Sequence, residues 1–463
     1  MDVFINRTLN LKKIKFIGLD MDHTLIRYNS EKFEGLAYEK MKEKLVSLYN
    51  YPQEILTLKF DFKSVIRGLV IDKNRGNLLK VSRYGAVRES YHGLKLTAFK
   101  ELKRQFGTQF IDLRDSNYNT VDTTFSISHA CLFAQLVELK DNQYKNEIPS
   151  YPEIAENLDT VLDLSHRDGS IKEVVVQNLD EYVIKEPEVV KNIEKYKKHN
   201  KHFFIVTNSD YNYTKTLLDY AINPFISDGS KWTDLFTWTI TLANKPRFFY
   251  DATSILKINL KDGTMNNYNA GELEPGVYQG GSAKHLSNTW GVTGDEILYI
   301  GDHIYGDILR LKKDCEWRTG LVIEELKEEV ELNKKAKGFL EEIQGLMQEK
   351  TKLEKELDAL VCKKIEDNVN IDESQTVALR DQIRHIDDKL SPLLNNQKSL
   401  YNPYWGEVMR VGIEESQFAN QIERFADIYM PSLNDLLKES ARSYFRSRRR
   451  QMAHDVLDTI AVE

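Results

Sequence analysis

A chain of 463 residues exceeds one ordinary core, because domains usually run about 100–200 residues, so two or three packed units are expected. Hydrophobic residues at 41% and charged residues at 29% exclude a fibrous, disordered or membrane-embedded composition. The formal net charge of −7 offers no general attraction to nucleic acid or to an anionic membrane surface. Cys131, Cys315 and Cys362 lie far apart without CxxC spacing, which argues against a disulfide framework or a zinc site and for a reducing, cytoplasmic setting. No stretch reaches the ~20 apolar residues of a membrane span, and the N-terminus lacks an apolar signal core.

In chain order, the first predicted element is the apolar run Lys15-Phe16-Ile17-Gly18-Leu19, which ends in Asp20 and suits a buried parallel strand. A second run, His202-Phe203-Phe204-Ile205-Val206, leads into Thr207-Asn208-Ser209-Asp210. A third, Glu296-Ile297-Leu298-Tyr299-Ile300, leads into Gly301-Asp302. Polar residues just past a strand's carboxyl end mark the ligand side of an open α/β sheet, and three such ends point to one shared site.

About 180 residues separate the first two strands, far more than a crossover needs. They are expected to form a cap: strands around Gly68-Leu69-Val70-Ile71-Asp72 and Asn77-Leu78-Leu79-Lys80-Val81, then a more helical part over 125–196. From about Glu324 the chain turns to long charged helices. Leu379, Ile383, Ile386, Leu390 and Leu393 form one a/d stripe. Phe339, Ile343, Leu346, Leu353, Leu357 and Leu360 form another, interrupted by Lys350. The pattern predicts a helical hairpin turning at 366–374, its stripes serving either internal packing or a partner. Near the C-terminus Arg446, Arg448, Arg449 and Arg450 form a basic cluster, read as a solvated or interface-forming face.

The chemistry concentrates in Asp20-Met21-Asp22-His23-Thr24-Leu25. Two carboxylates two positions apart at a strand end can face one cavity. Asp20 then attacks phosphorus to form an acyl phosphate, and Asp22 protonates the leaving oxygen and later deprotonates water. Alone, such a loop could equally be an acidic turn with Asp22 or Thr24 capping a helix. Asp302-His303-Ile304-Tyr305-Gly306-Asp307 adds carboxylates after another strand, Asp302 to complete a metal shell and Asp307 to orient it or a water. Thr207, Asn208 and Ser209 offer a hydroxyl and backbone N–H groups as a phosphate cradle. Anions facing a phosphate need a cation, and magnesium suits carboxylate and phosphate oxygens. A lysine is also needed. Lys245 and Lys284 both precede Asp302, and spacing does not choose between them.

The order of these motifs resembles the haloacid-dehalogenase superfamily. Nearly the whole chain resembles its cytosolic purine 5′-nucleotidases, the IMP–GMP-preferring type, notably at 3–9, Arg67-Gly68-Leu69-Val70, 76–81, 207–211, 298–309 and Ala426-Asp427-Ile428-Tyr429. The resemblance implies a Rossmann-like α/β core with a parallel sheet over 1–28 and 199–323. It further implies a large inserted α+β cap over 29–198, the hairpin over 324–398, and a C-terminal helical segment packing on the core over 399–463. It makes Asp20 the nucleophile and Asp22 the acid/base, with Asp22 reaching magnesium through its backbone carbonyl and Asp302 as a further magnesium ligand. Its lysine, in a Lys-Pro before two Phe, falls on Lys245 and demotes Lys284. In the cap it places Phe125 against the purine and Asp163, His166 and Lys172 on its polar groups. Asp307 stands nearby at the substrate.

Implied with these are hydrolysis or transfer of the phosphoryl group of purine nucleoside monophosphates and assembly into dimers or tetramers. A nucleoside triphosphate effector is also implied, with Tyr305 at that site. Two departures bear on base choice: Asp159 stands where the family reads the base with an arginine, and Arg167 replaces a tyrosine. The competing readings are a phosphatase for another small phosphate and a catalytically silent interaction protein that uses the hairpin.

Overall fold

The structure, a computed structural model, describes residues 2–268, 271–367, 373–450 and 452. The middle of the turn expected at 366–374 and the chain end at 458–463 lie outside the described residues.

The organising element is a ten-stranded sheet. Its parallel part comprises β1 (Phe16–Leu19), β2 (His202–Val206), β3 (Trp238–Thr241), β4 (Gly276–Gly280), β5 (Ile297–Gly301), β6 (Arg318–Val322) and β7 (Ile428–Met430). Their order across the sheet is β7-β6-β5-β1-β2-β3-β4. Antiparallel strands finish both edges, Phe4–Ile5 beside β7, and Ile255–Ile258 followed by Met265–Asn267 beside β4. Every residue of β1, β3 and β5 is buried, as expected for strands covered on both faces. The chain steps outward from β1 through β4, then crosses back to place β5 on the other side of β1. That reversal opens a crevice at the carboxyl ends of β1, β2 and β5. Gly18 in β1 is required by packing: a Cβ there would lie 2.3 Å from the Phe204 ring and 2.6 Å from the Tyr299 ring.

The insertion leaves the core at Arg27–Tyr28 and returns at Val183–Ile184, and these two segments pair antiparallel as a neck. Above it stands a five-stranded antiparallel sheet in the order Lys95–Leu96, Val87–His92, Asn77–Val81, Leu69–Asp72, Tyr118–Thr120. The helices α1 (Ser30–Tyr49), α2 (Ile127–Asn142) and α3 (Tyr151–Arg167) pack with it. The α3 start is fixed by Pro152 in its first turn and by Glu153, whose carboxylate accepts the Ser150 N–H at 3.0 Å.

Two boundaries differ from those expected. The helix α4 (Pro187–Lys197), grouped with the cap over 29–198, packs on the core. Its Val189, Val190, Ile193 and Tyr196 join the cluster that holds Ile17 and Leu19, because this apolar face follows the neck and meets the parallel sheet. The segment over 399–463 was expected to be helical and to lie on the core; its first part lies on the cap instead. Trp405 Nε1 donates to the Ser64 carbonyl at 2.9 Å, Asn402 Nδ2 to that of Lys63 at 2.8 Å, and Lys80 Nζ to that of Glu407 at 2.8 Å. Only afterwards do α7 (Gln417–Phe425) and β7 return to the core sheet.

Between the core and this first part of 399–463, a strap across the cap, run α5 (Leu326–Glu366) and α6 (Glu373–Ser399). The two stripes are buried or half-buried while their flanks are exposed. Lys350, the interruption, reaches across to Asp387 at 2.6 Å, so a charged residue in the seam pairs between the helices. Among the described residues no helix is long and apolar enough to cross a membrane.

Trp405 is 1% exposed and joins the strap to the cap. Trp405→Ala is expected to cost about 3–5 kcal/mol, read as a lower denaturation midpoint; an unchanged midpoint would show that the strap contributes nothing to stability.

Candidate active site

The site is assembled from loops at the carboxyl edge of the sheet. Asp20 follows β1, and its backbone N–H donates to the Ile300 carbonyl of β5 at 2.8 Å. Its Oδ1 accepts the Met21 N–H at 2.7 Å. The Lys245 ammonium, from the loop after β3, lies 2.7 Å from Asp20 Oδ1 and 2.7 Å from Asp307 Oδ1. It is fixed from two sides. The Tyr299 hydroxyl accepts from Nζ at 3.2 Å and donates to the Val206 carbonyl at 3.0 Å. The Asn208 side chain accepts the Lys245 N–H at 2.6 Å and donates to its carbonyl at 3.1 Å.

Asp302 directly follows β5, and Asp307 lies on the following π-type helical turn Ile304–Leu309, a geometry frequent at functional sites. Gly301 permits this approach, since a Cβ there would lie 2.3 Å from Asp307 Oδ2. From the cap, Arg67 Nη1 donates to the Asp302 carbonyl at 3.4 Å while its Nε donates to Glu325 Oε1 at 2.7 Å.

Asp20, Asp302 and Asp307 each offer an oxygen within 4.8 Å of the others, and Asp302 Oδ2 is buried without a partner. Burial pushes the Asp20 carboxyl up to about 8, with Asp307 and Asp22 adding to the rise and Lys245 opposing it. Burial, then Asp20 and Asp307, hold Asp302 well above the usual carboxylate range. Burial works against the Lys245 ammonium, but Asp20 and Asp307 outweigh it and raise its pKa. Three clustered carboxylates and one ammonium leave a deficit of positive charge. An orphaned buried oxygen among them fits a hard divalent cation.

Asp22 lies beside this cluster. The Tyr28 hydroxyl donates to its Oδ1 at 2.6 Å and the Ser209 hydroxyl to its Oδ2 at 2.9 Å. Burial raises its pKa, against the pull of these two bonds. Thr207 is fully buried; its Oγ1 accepts the Ser209 N–H at 3.0 Å, so it shapes the loop from beneath and, unlike its neighbours, does not line the cavity.

Over the carboxylates opens a cavity of about 900 Å³, within the range of small-molecule sites. Asp20, Asp22, Asn208, Ser209, Lys245, Asp302 and Asp307 line its floor; Phe125, Asp163, His166 and Lys172 line the cap side. Every expected site residue except Thr207 therefore faces one space. Lys284 does not: it is exposed on the helix Ala283–Trp290 and lies outside the cavity lining, so of the two lysines only Lys245 stands at the carboxylates. Tyr305 also lies outside that lining, its hydroxyl accepting from Gln421 Nε2 at 2.6 Å.

On the cap side, Phe125 stands edge-on to His23 at 4.6 Å and to His166 at 5.4 Å. Burial, then Lys172, push the His166 imidazole down to about 4 against Asp163, so it is neutral near pH 7. Lys172 pairs with Asp210 at 2.8 Å and Asp163 with Arg167 at 3.0 Å. Asp159 also lines the cavity; its Oδ2 accepts from Asn119 Nδ2 at 3.1 Å, and His129 Nε2 lies 3.0 Å from its Oδ1.

The sequence reading missed Tyr28, Tyr299, Arg67 and His23. His23 sits inside the quoted motif at φ +55° and is buried with neither ring nitrogen partnered; burial, then Arg67 and His166, push it down to about 3. A neutral ring behind Phe125 is thus built into the catalytic loop, and its position next to Asp22 was the available signal. Arg67 and Tyr299 fall within stretches that carry the resemblance but were given no role at the site, and nothing in the sequence marked Tyr28.

A family model described as the 5′ nucleotidase family matches residues 3–457. A 5′-nucleotidase domain-containing protein of Dictyostelium discoideum is 27% identical over 462 residues, covering 98% of this chain and 75% of that protein. Among solved structures, one described as a predicted phosphoglycolate phosphatase from Haemophilus somnus matches at 12% identity and a TM-score of 0.28. That match covers 67% of this chain and 85% of the other.

Because only glycine fits between β5 and Asp307, Gly301→Ala is expected to displace that carboxylate and weaken divalent-ion binding by about 10–100-fold. A titration with manganese followed by electron paramagnetic resonance reads this directly, and wild-type affinity would show that Asp307 does not shape the ion site.

Proposed function

The chain belongs to the 5′ nucleotidase family, whose members are phosphoric monoester hydrolases, and on that premise we propose that it hydrolyses purine nucleoside 5′-monophosphates, IMP and GMP foremost, with magnesium. The observation that carries this reading is the Asp20–Lys245–Asp307 array, 2.7 Å on each side of the ammonium, at the floor of a cavity whose far wall holds an aromatic ring and a neutral imidazole.

Asp20 attacks phosphorus and the bond to O5′ breaks, while Asp22 gives O5′ a proton and releases the nucleoside. Water then attacks the aspartyl phosphate, Asp22 takes its proton, and Asp20 is restored as inorganic phosphate leaves. A second nucleoside in place of water makes the same step a phosphotransfer. Lys245 lies against the nucleophile and neutralises charge on the phosphoryl oxygens, and the donors of Asn208 and Ser209 orient them. Asp20, Asp302 and the Asp22 carbonyl are the groups that would hold magnesium, and the buried unpartnered Asp302 Oδ2 fits that role. When bound, the ion supplies positive charge that offsets the repulsion between carboxylates and phosphate.

Phe125 gives the base a flat apolar face, worth about 1–3 kcal/mol, and Asp163, His166 and Lys172 supply polar contacts at that end. Placing IMP and GMP first rests on the resemblance to the purine-preferring members alone. The cap over the floor argues against bulky protein substrates.

The test is phosphate release from a panel of nucleoside monophosphates and sugar phosphates, with magnesium and with a chelator. Magnesium-dependent release led by IMP and GMP is expected, whereas release confined to sugar phosphates overturns the substrate. Asp20→Asn should fold normally and lose about 10³-fold or more of the activity; full activity in that variant overturns the mechanism.

A further inference from the structure

Both oxygens of the Asp22 carboxylate receive a hydroxyl, yet the two donors differ in freedom. Tyr28 is 2% exposed. Its ring packs 4.9 Å from Phe33 and 5.1 Å from His23, and the Tyr213 hydroxyl lies 3.1 Å behind its own. Its backbone pairs with Val183 across the neck of the cap. Moving this hydroxyl means moving the neck. Ser209 needs only one bond rotation to turn its hydroxyl away, and it lines the cavity.

A carboxyl group hands over its proton most readily from an oxygen to which no other group is donating. Of the two, only Oδ2 can be vacated cheaply. We propose that Tyr28 is a positioning residue for proton transfer: it anchors Asp22 Oδ1, so that the proton travels on Oδ2, and it ties the acid/base group to the neck of the cap.

The balance is simple. As the bond from phosphorus to O5′ breaks, the proton on Oδ2 passes to O5′ and Asp22 is left ionised. In the second half the attacking water gives its proton back to Oδ2, the bond from phosphorus to the Asp20 oxygen breaks, and both carboxyl groups return to their starting states. Tyr28 keeps its own proton throughout.

The proposal rests on the reading of Asp22 as proton donor. Its test compares two substrates by kcat/KM, which reports the steps through formation of the aspartyl phosphate. A nucleoside 5′-alkoxide is a poor leaving group and needs the proton; p-nitrophenolate leaves without one. Tyr28→Phe keeps the ring and loses the hydroxyl. It should lower kcat/KM for IMP by about 10–100-fold, with KM nearly unchanged, and lower it for p-nitrophenyl phosphate less than about threefold. Equal losses on both substrates would mean a merely structural role and would overturn the proposal.

Ser209→Ala serves as the second variant and decides the matter even if Tyr28→Phe fails to fold. It leaves the Tyr28 bond intact, so both substrates should fall in parallel. A loss confined to IMP would make Ser209 the positioning group and sink the assignment to Tyr28. Asp22→Asn separates the two levels: wild-type turnover of IMP there refutes the mechanism itself. An inactive Asp22→Asn beside an unselective Tyr28→Phe refutes only the present inference.

Discussion

The Lys245 ammonium, shared at 2.7 Å each by Asp20 and Asp307, is the interaction on which the site depends. It draws two buried carboxylates to one point, and Asp302 lies close enough to join their cluster. One ammonium cannot balance three carboxylates, so burial and mutual repulsion push Asp20 and Asp302 upward. The protein thereby holds an electrostatic imbalance in place before anything binds. A divalent cation would offset it, and a phosphate dianion could approach the carboxylates only with that cation in place. Such a site should bind the pair more readily than either alone, and the cost of assembling it is met by folding rather than during turnover.

That assembly is possible because of where the strands turn. The crossover from β4 to β5 places β1 between β2 and β5, so loops far apart in sequence meet at one edge. Close packing there leaves little tolerance. Gly18 admits Phe204 and Tyr299 against β1, and Gly301 admits Asp307 against β5. Tyr299 then serves two purposes, filling the sheet with its ring and holding Lys245 with its hydroxyl. Thr207 is buried for a related reason: it bends the β2 loop so that Ser209, two residues on, can face Asp22.

What the sequence disclosed follows the same division between local and distant. The carboxylates at strand ends were legible because a short apolar run and the polar residues after it are neighbours in the chain. The hairpin stripes were legible because helical period is local, and even Lys350 had a detectable place in the seam. Lys245 could not be separated from Lys284 by spacing, since the choice depends on which side of β3 and β4 each loop occupies. Arg67 and Glu325 are 258 positions apart, and no local pattern pairs them. Tyr28 carries no signal in the sequence; its contacts with Asp22, Tyr213 and the neck appear only in the folded chain. The α4 boundary was misjudged because an amphipathic helix carries no mark of which core its apolar face will meet.

The strap changes how the cap must be understood. Two crossings at the neck would by themselves allow the cap to swing. Residues after the hairpin add a third attachment, with Trp405, Asn402 and Lys80 bonded across to cap carbonyls or the strap backbone, before α7 and β7 return to the core. Arg67 adds a fourth, from the cap to the carbonyl of Asp302, braced by Glu325 at the root of the hairpin. Swinging the cap open would break several of these polar bonds together, most of them partly buried. These attachments fasten the cap over the cavity that core and cap line together. Phe125, with the neutral His23 ring edge-on behind it, lines that cavity on the cap side. The hairpin, inserted between core and strap, leaves and rejoins the structure where cap and core are fastened together.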